Sequence, residues 1–152
     1  MRRGRRLGID VGDVRIGVAS CDPEGLIATP LETVPAQQDP LARIVAIAAE
    51  YEPIECVVGL PIGLSGSEGA AAAKARAFAG RLVAALPGVS VRLVDERMST
   101  VTAATQLRAS GRTAKKSRSV IDQAAATVIL QTALDAERTR GTAPGELIEG
   151  TA

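Results

Sequence analysis

Residues 6–12 read RLGIDVG with strict alternation: Leu7, Ile9 and Val11 fall on one side, Gly8, Asp10 and Gly12 on the other. A period of two is the signature of a strand with two unlike faces. The turn GDV follows at once, and RIGVASCD over 15–22 reads as a second strand. Two strands joined so tightly run antiparallel, because a parallel pair needs a long crossover. The chain therefore opens with a hairpin whose first strand is apolar on one face. Its other face carries only glycines and one acid. An acid in mid-strand is expensive to bury without a partner, which makes Asp10 the first candidate for function.

The rest of the pattern alternates strands with helices. LIATPLETV over 26–34 predicts a third strand, and DPLARIVAIAAEYEP over 39–53 a helix. There Asp39 can cap, Pro40 suits the first turn, and Leu41, Ile44, Val45 and Ala48 share a face. IECVVGLP over 54–61 is a short apolar strand, followed by the loop GLSGSEG and an alanine-rich helix over 69–86. VSVRLVDE over 89–96 alternates as a strand, and STVTAATQLRAS over 99–110 reads as a helix ending at Gly111. GRTAKKSR over 111–118 is polar, basic and expected to be a mobile loop. SVIDQAAATVILQTALDAERTR over 119–140 is the most regular helix, and 141–152 shows no period. The expected class is α/β, a mixed five-stranded sheet flanked by helices. The 152 residues suit one domain, placed at 1–140, with a C-terminal tail at 141–152.

On this map the acids gather. Asp95 and Glu96 end their strand, so one of them faces the side of Asp10. Asp122 shares a helical stripe with Ala125, Ala126 and Ile129, small enough for the helix to lie close to the sheet. Converging carboxylates repel unless a cation sits among them. Their oxygens suit Mg²⁺ or Mn²⁺. With no histidine and only Cys21 and Cys56, a structural zinc site is excluded. Two such ions can activate water and stabilise a leaving oxygen in phosphodiester cleavage. Plainer roles exist: Asp122 as a charge on a helix N-terminus, and Asp95 and Glu96 as partners of Arg97.

Net charge is only +1, yet Arg2, Arg3, Arg5 and Arg6 cluster at the start, and Arg108, Arg112, Lys115, Lys116 and Arg118 cluster without an acid. Such patches suit a phosphate-rich partner. Tyr51 and Phe78 are the only aromatics, so backbone and shape should be read more than stacked bases. Gly59, Gly63, Ser65, Gly66 and Ser67 lie just before a helix and could cradle a phosphate, or form a flexible connection. Ser99 and Thr100 could add hydroxyl contacts. The basic opening MRRGRR is not followed by an apolar signal segment, and no apolar run reaches the roughly 20 residues that span a bilayer. The expected setting is cytoplasmic, away from membranes.

Four blocks, GIDVGDVRIGVA, VVGLPIGLSGSEG, VDERMST and IDQAAATVILQ, resemble in order and spacing the YqgF family, also called RuvX, over residues 5–138. The resemblance implies a ribonuclease H-like fold and a nuclease maturing the 5′ end of 16S rRNA. Resolution of branched DNA (Holliday junctions) is the alternative. It implies Asp10, Glu96 and Asp122 as catalytic and metal-binding residues, with Asp95 as the alternative to Glu96 and Mg²⁺ or Mn²⁺ as cofactor. Arg97, Thr100, Arg108, Arg112, Lys115, Lys116 and Arg118 become nucleic-acid contacts. The partner is then structured RNA or branched DNA, and the protein a monomer or homodimer. The loop departs from the family at Gly63 and Ser65, near which Asn and Asp are common. Two rival classes are an ATPase of the sugar-kinase and actin type, which needs two such domains, and a non-catalytic RNA-binding module, which leaves Asp10 unexplained.

Overall fold

A computed structural model describes residues 1–63, 65–96 and 114–149, and the side chains of all of these except 114–122. Strand β1 (Arg6–Val11) pairs antiparallel with β2 (Arg15–Cys21), and β2 with β3 (Ala28–Pro35). Helix α1 (Pro40–Tyr51) then returns the chain to β4 (Glu55–Leu60), parallel to β1. Helix α2 (Ala70–Ala85) leads to β5 (Ser90–Asp95), parallel to β4. After α3 (Ala114–Arg140), β6 (Glu146–Ile148) closes the sheet antiparallel to β5, in the order β3-β2-β1-β4-β5-β6.

The alternation in β1 sorts the layers. Leu7 and Ile9 are fully buried with Ile44 and Ile47 of α1, Leu82 of α2, Val58 and Leu93. Helix α1 starts where expected, the Asp39 carboxylate accepting the Ala42 N–H at 3.2 Å with Pro40 in the first turn. On the opposite face Ala19, Val57 and Val94 pack against Ala126, Ile129, Leu130 and Ala133 of α3. Gly8 permits this approach: a Cβ there would lie 2.7 Å from both the Ala126 carbonyl oxygen and Leu130 Cβ. The helix backbone thus rests directly on the sheet.

The architecture departs from the sequence expectation in two places. The sheet has six strands rather than five, because β6 forms from the segment read as a tail. Three residues are too few to show a period, and the strand exists through its pairing with β5, Val91 opposite Ile148. Helix α3 begins at Ala114, not 119, so Lys115, Lys116 and Arg118 lie on a helix and not in a mobile loop. Ala, Lys and Arg are good helix formers, and extending an existing helix avoids the cost of a new nucleus. The helix expected at 99–110 lies outside the described residues. Among the described residues, no helix is long and apolar enough to cross a membrane.

The N-terminal arginines each have a partner within the fold. Arg6 is 1% exposed and donates to Glu137 at 2.7 Å. Arg2 donates to both Glu137 and Glu55, at 2.5 and 2.8 Å, and Arg92 reaches Glu55 at 2.7 Å. Burial works against the Glu137 carboxylate, yet Arg2 and Arg6 hold it below the ordinary range. Arg3 pairs with Glu24, and the Arg5 guanidinium donates to the Cys21 carbonyl at 3.3 Å and lies 5.9 Å from the Tyr51 ring centre. Arg2, Arg6 and Arg92, through Glu55 and Glu137, tie the N-terminus, β1, β4, β5 and α3 together.

Candidate active site

Strands β1 and β5 flank β4 and run parallel to it, so all three finish at the same end of the sheet. Asp10 lies near that end of β1, and Glu96 follows the last residue of β5. Between them, in β4, stands Gly59. A Cβ on Gly59 would collide with Glu96 Oε1 and lie 2.6 Å from Ile129 Cδ1. The glycine therefore leaves the space through which the Glu96 side chain crosses β4 and hydrogen-bonds Asp10. Gly59 is thus a residue of a strand interior and not of a phosphate loop. A glycine within the apolar run ECVVGL was the signal for such a close approach.

Two carboxyl groups hydrogen-bond only by sharing a proton. Glu96 carries it: burial, the Asp10 charge, the hydrogen bond to Asp10 and the Asp95 charge push its pKa from 4.5 to about 8. Burial also raises Asp10, while the hydrogen bond with Glu96 acts in the opposite direction and keeps it the acceptor. Asp95, last in β5 and level with Leu60, acts on Glu96 through its charge.

Register places the backbone turn of α3 that includes residue 122. Asp10 stands opposite Gly17, and Gly17 opposite Thr33. Gln123 Nε2 donates to Thr33 Oγ1 at 2.9 Å. The turn of α3 that includes residue 122 therefore crosses the sheet at the row of Asp10, one turn before Ala126 settles on Gly8. Asp122 is the ninth residue of α3 and not in its first turn, so stabilisation by the helix N-terminus, which fades within a turn, does not account for it. Its side chain lies outside the description, and among the described residues no three acidic or thiol groups form a metal-binding cluster.

The proposed phosphate cradle is altered by its own hydrogen bonds. The Gly63 N–H donates to the Ser67 carbonyl and the Gly66 N–H to the Gly63 carbonyl, both at 2.8 Å. Those two donors close the loop on itself and are not offered to a ligand. The hydroxyls of Ser65 and Ser67, 3.0 Å apart, remain exposed. Of the expected nucleic-acid contacts, Arg97, Thr100, Arg108 and Arg112 lie outside the described residues, whereas Lys115, Lys116 and Arg118 occupy the first turns of α3.

Known proteins share both the sequence and the fold. The family model described as RuvX, Holliday junction resolvase, matches residues 4–136. A relative from Streptomyces avermitilis, described as a candidate pre-16S rRNA nuclease, is 62% identical over 151 residues, covering 98% of this chain and 97% of its own. A relative of the same description from Streptomyces coelicolor is 63% identical, covering 98% and 90%. Among solved structures, T. thermophilus RuvC in complex with Holliday junction substrate superposes with a TM-score of 0.58 at 21% identity, covering 95% of this chain and 99% of that one. That likeness establishes a fold of the RuvC, ribonuclease H-like kind.

Proposed function

The chain belongs to the RuvX family, and from that premise we propose that it is a metal-dependent nuclease that cleaves phosphodiester bonds in processing the 5′ end of pre-16S rRNA. The observation that carries this reading is the Asp10–Glu96 pair, two partly buried carboxyls brought together across Gly59 at one end of the sheet and held by a shared proton. A structural acid pair gains nothing from such a position, because burial and mutual repulsion both disfavour its charge. A divalent cation in place of the proton resolves both penalties.

The donor set fits Mg²⁺ or Mn²⁺. It offers carboxylate oxygens only, and two or three such groups leave coordination positions for water and a substrate phosphate. Asp10, Glu96 and Asp122 would hold the ions, with Asp95 the alternative to Glu96. Bound there, the metal supplies an activated water and charge stabilisation for the leaving oxygen. The chain's own part is placement. β1 and the end of β5 would hold Asp10 and Glu96, Gly59 leaves room for the longer side chain between them, and the turn of α3 that includes residue 122 crosses the sheet at the row of Asp10. Ser65 and Ser67 would donate hydroxyls to the phosphate backbone. Lys115, Lys116 and Arg118 would neutralise phosphates further along the substrate, as would Arg97, Arg108 and Arg112.

Cleavage of branched DNA is the second reading, favoured by the RuvX description and by the fold shared with RuvC. One experiment separates the alternatives: purified protein is incubated with RNA spanning a 16S 5′ boundary and with four-way DNA junctions, in Mg²⁺, Mn²⁺ or EDTA. Cleavage of the RNA that is lost in EDTA and in Asp10→Asn supports the first reading. Cleavage of junctions alone supports the second, and binding without cleavage in any metal supports a non-catalytic module.

A further inference from the structure

On the opposite face of the hairpin from Asp10 lies a cavity of about 260 Å³ with an apolar interior of Val11, Ile16, Pro40 and Phe78, and with Lys74 and Arg81 at its rim. We propose that this cavity receives one unpaired base flanking the scissile phosphate, with Lys74 holding the adjacent phosphate. The proposal rests on the nuclease reading above and names a feature of its substrate, an unpaired nucleotide beside the cut.

Size points to a fragment. Sites for drug-sized ligands run from roughly 300 to 1,000 Å³, so this cavity suits a single ring system. The rim points to nucleic acid. The Arg81 guanidinium lies 6.0 Å from the centre of the Phe78 ring, and among the described residues it has no carboxylate partner. Bases stack on guanidinium planes as they do on aromatic rings. A chain with two aromatics has no extended stacking platform, but one base needs only one plane. Lys74 pairs with Asp13, both largely exposed. Such a pair is worth little, so a phosphate can take the lysine over.

Position links the cavity to the site. Val11 follows Asp10 directly, and neighbouring strand residues point to opposite faces. The sheet ends just beyond them, where the Gly12 N–H donates to the Arg15 carbonyl at 3.0 Å. A Cβ at Gly12 would strike that carbonyl, so the turn stays tight. The route from Asp10 to the cavity passes around this turn.

The test uses the full chain in Ca²⁺, with RNA duplexes that are either flush or carry one unpaired 2-aminopurine nucleotide beside the phosphate that the wild type cuts in Mg²⁺. Ala77 and Arg81 are exposed on α2, so Ala77→Trp, which fills the cavity, and Arg81→Ala should fold normally. A stacked base is worth about tenfold or more in affinity. The wild type should prefer the unpaired substrate by that factor, with a change in 2-aminopurine fluorescence. Both variants should lose the preference yet bind the flush duplex as the wild type does. Preference and fluorescence change retained in both variants would overturn the subsite while leaving the nuclease reading intact. A wild type that binds neither RNA overturns both. Adenosine monophosphate alone should not saturate the protein at micromolar concentration; if it does, the cavity is a mononucleotide site and the proposal is wrong.

Discussion

Replacing Glu96 with Gln should stabilise the metal-free protein while abolishing its activity. Glu96 keeps its proton to about pH 8, whereas an ordinary glutamate releases it near 4.5. Between those values the native state binds one proton more than the unfolded chain, so stability falls as pH rises, by at most about 1.4 kcal/mol per pH unit. Integrated to pH 8, the ceiling is about 4–5 kcal/mol. Solvent reaches part of the Glu96 side chain, which reduces the expected figure to about 1–2 kcal/mol. The Glu96→Gln amide can still donate to Asp10 and carries no charge, so it removes this loss. Thermal melts in EDTA should agree at pH 4.5 and separate by about 3–8 °C at pH 8, with the variant higher. Saturating Mg²⁺ at pH 8 should narrow the gap, because the cation replaces the proton in the wild type. Wild type and variant melting in parallel across this pH range would refute the shared proton.

Glu137→Ala should cost about 3–5 kcal/mol, because it leaves the fully buried Arg6 without its carboxylate, and urea unfolding measures this directly. Gly59→Ala should displace Glu96 and press on Ile129, lowering the cleavage rate at least tenfold and stability by about 1–3 kcal/mol; unchanged kinetics would mean that β4 does not shape the site. Lys115→Ala with Lys116→Ala should weaken binding to all sequences alike and lower the slope of log affinity against log salt by about 0.7–0.9 per lost contact. An unchanged slope in a filter-binding titration would make these lysines ordinary surface.

Local pattern carried most of the fold. A strand of period two and a helix of period 3.6 leave their record in five to twenty consecutive residues, so β1–β5, α1 and α2 were readable within a residue or two of their ends. Asp10 was readable for a related reason: a charge on the glycine face of an apolar strand conflicts with its surroundings, and the conflict is local. The third turn of α3 was legible as helix, but not how far the helix extends before it. Its start depends on whether Ala114 to Arg118 join a helix already nucleated.

What only the tertiary structure decided are relations between residues far apart in the chain. Nothing near Gly59 says that Glu96 must pass over it. Nothing in MRRGRR separates arginines that meet a nucleic acid from arginines that meet Glu55 and Glu137, because charge on a sequence carries no partner. β6 is three residues long and exists by virtue of the edge that β5 offers. By itself the sequence determined which residues alternate, which cap a helix and which acid stands out of place. The structure decided which of them touch, because contact energies depend on distances that only the closed sheet and its packed helices set.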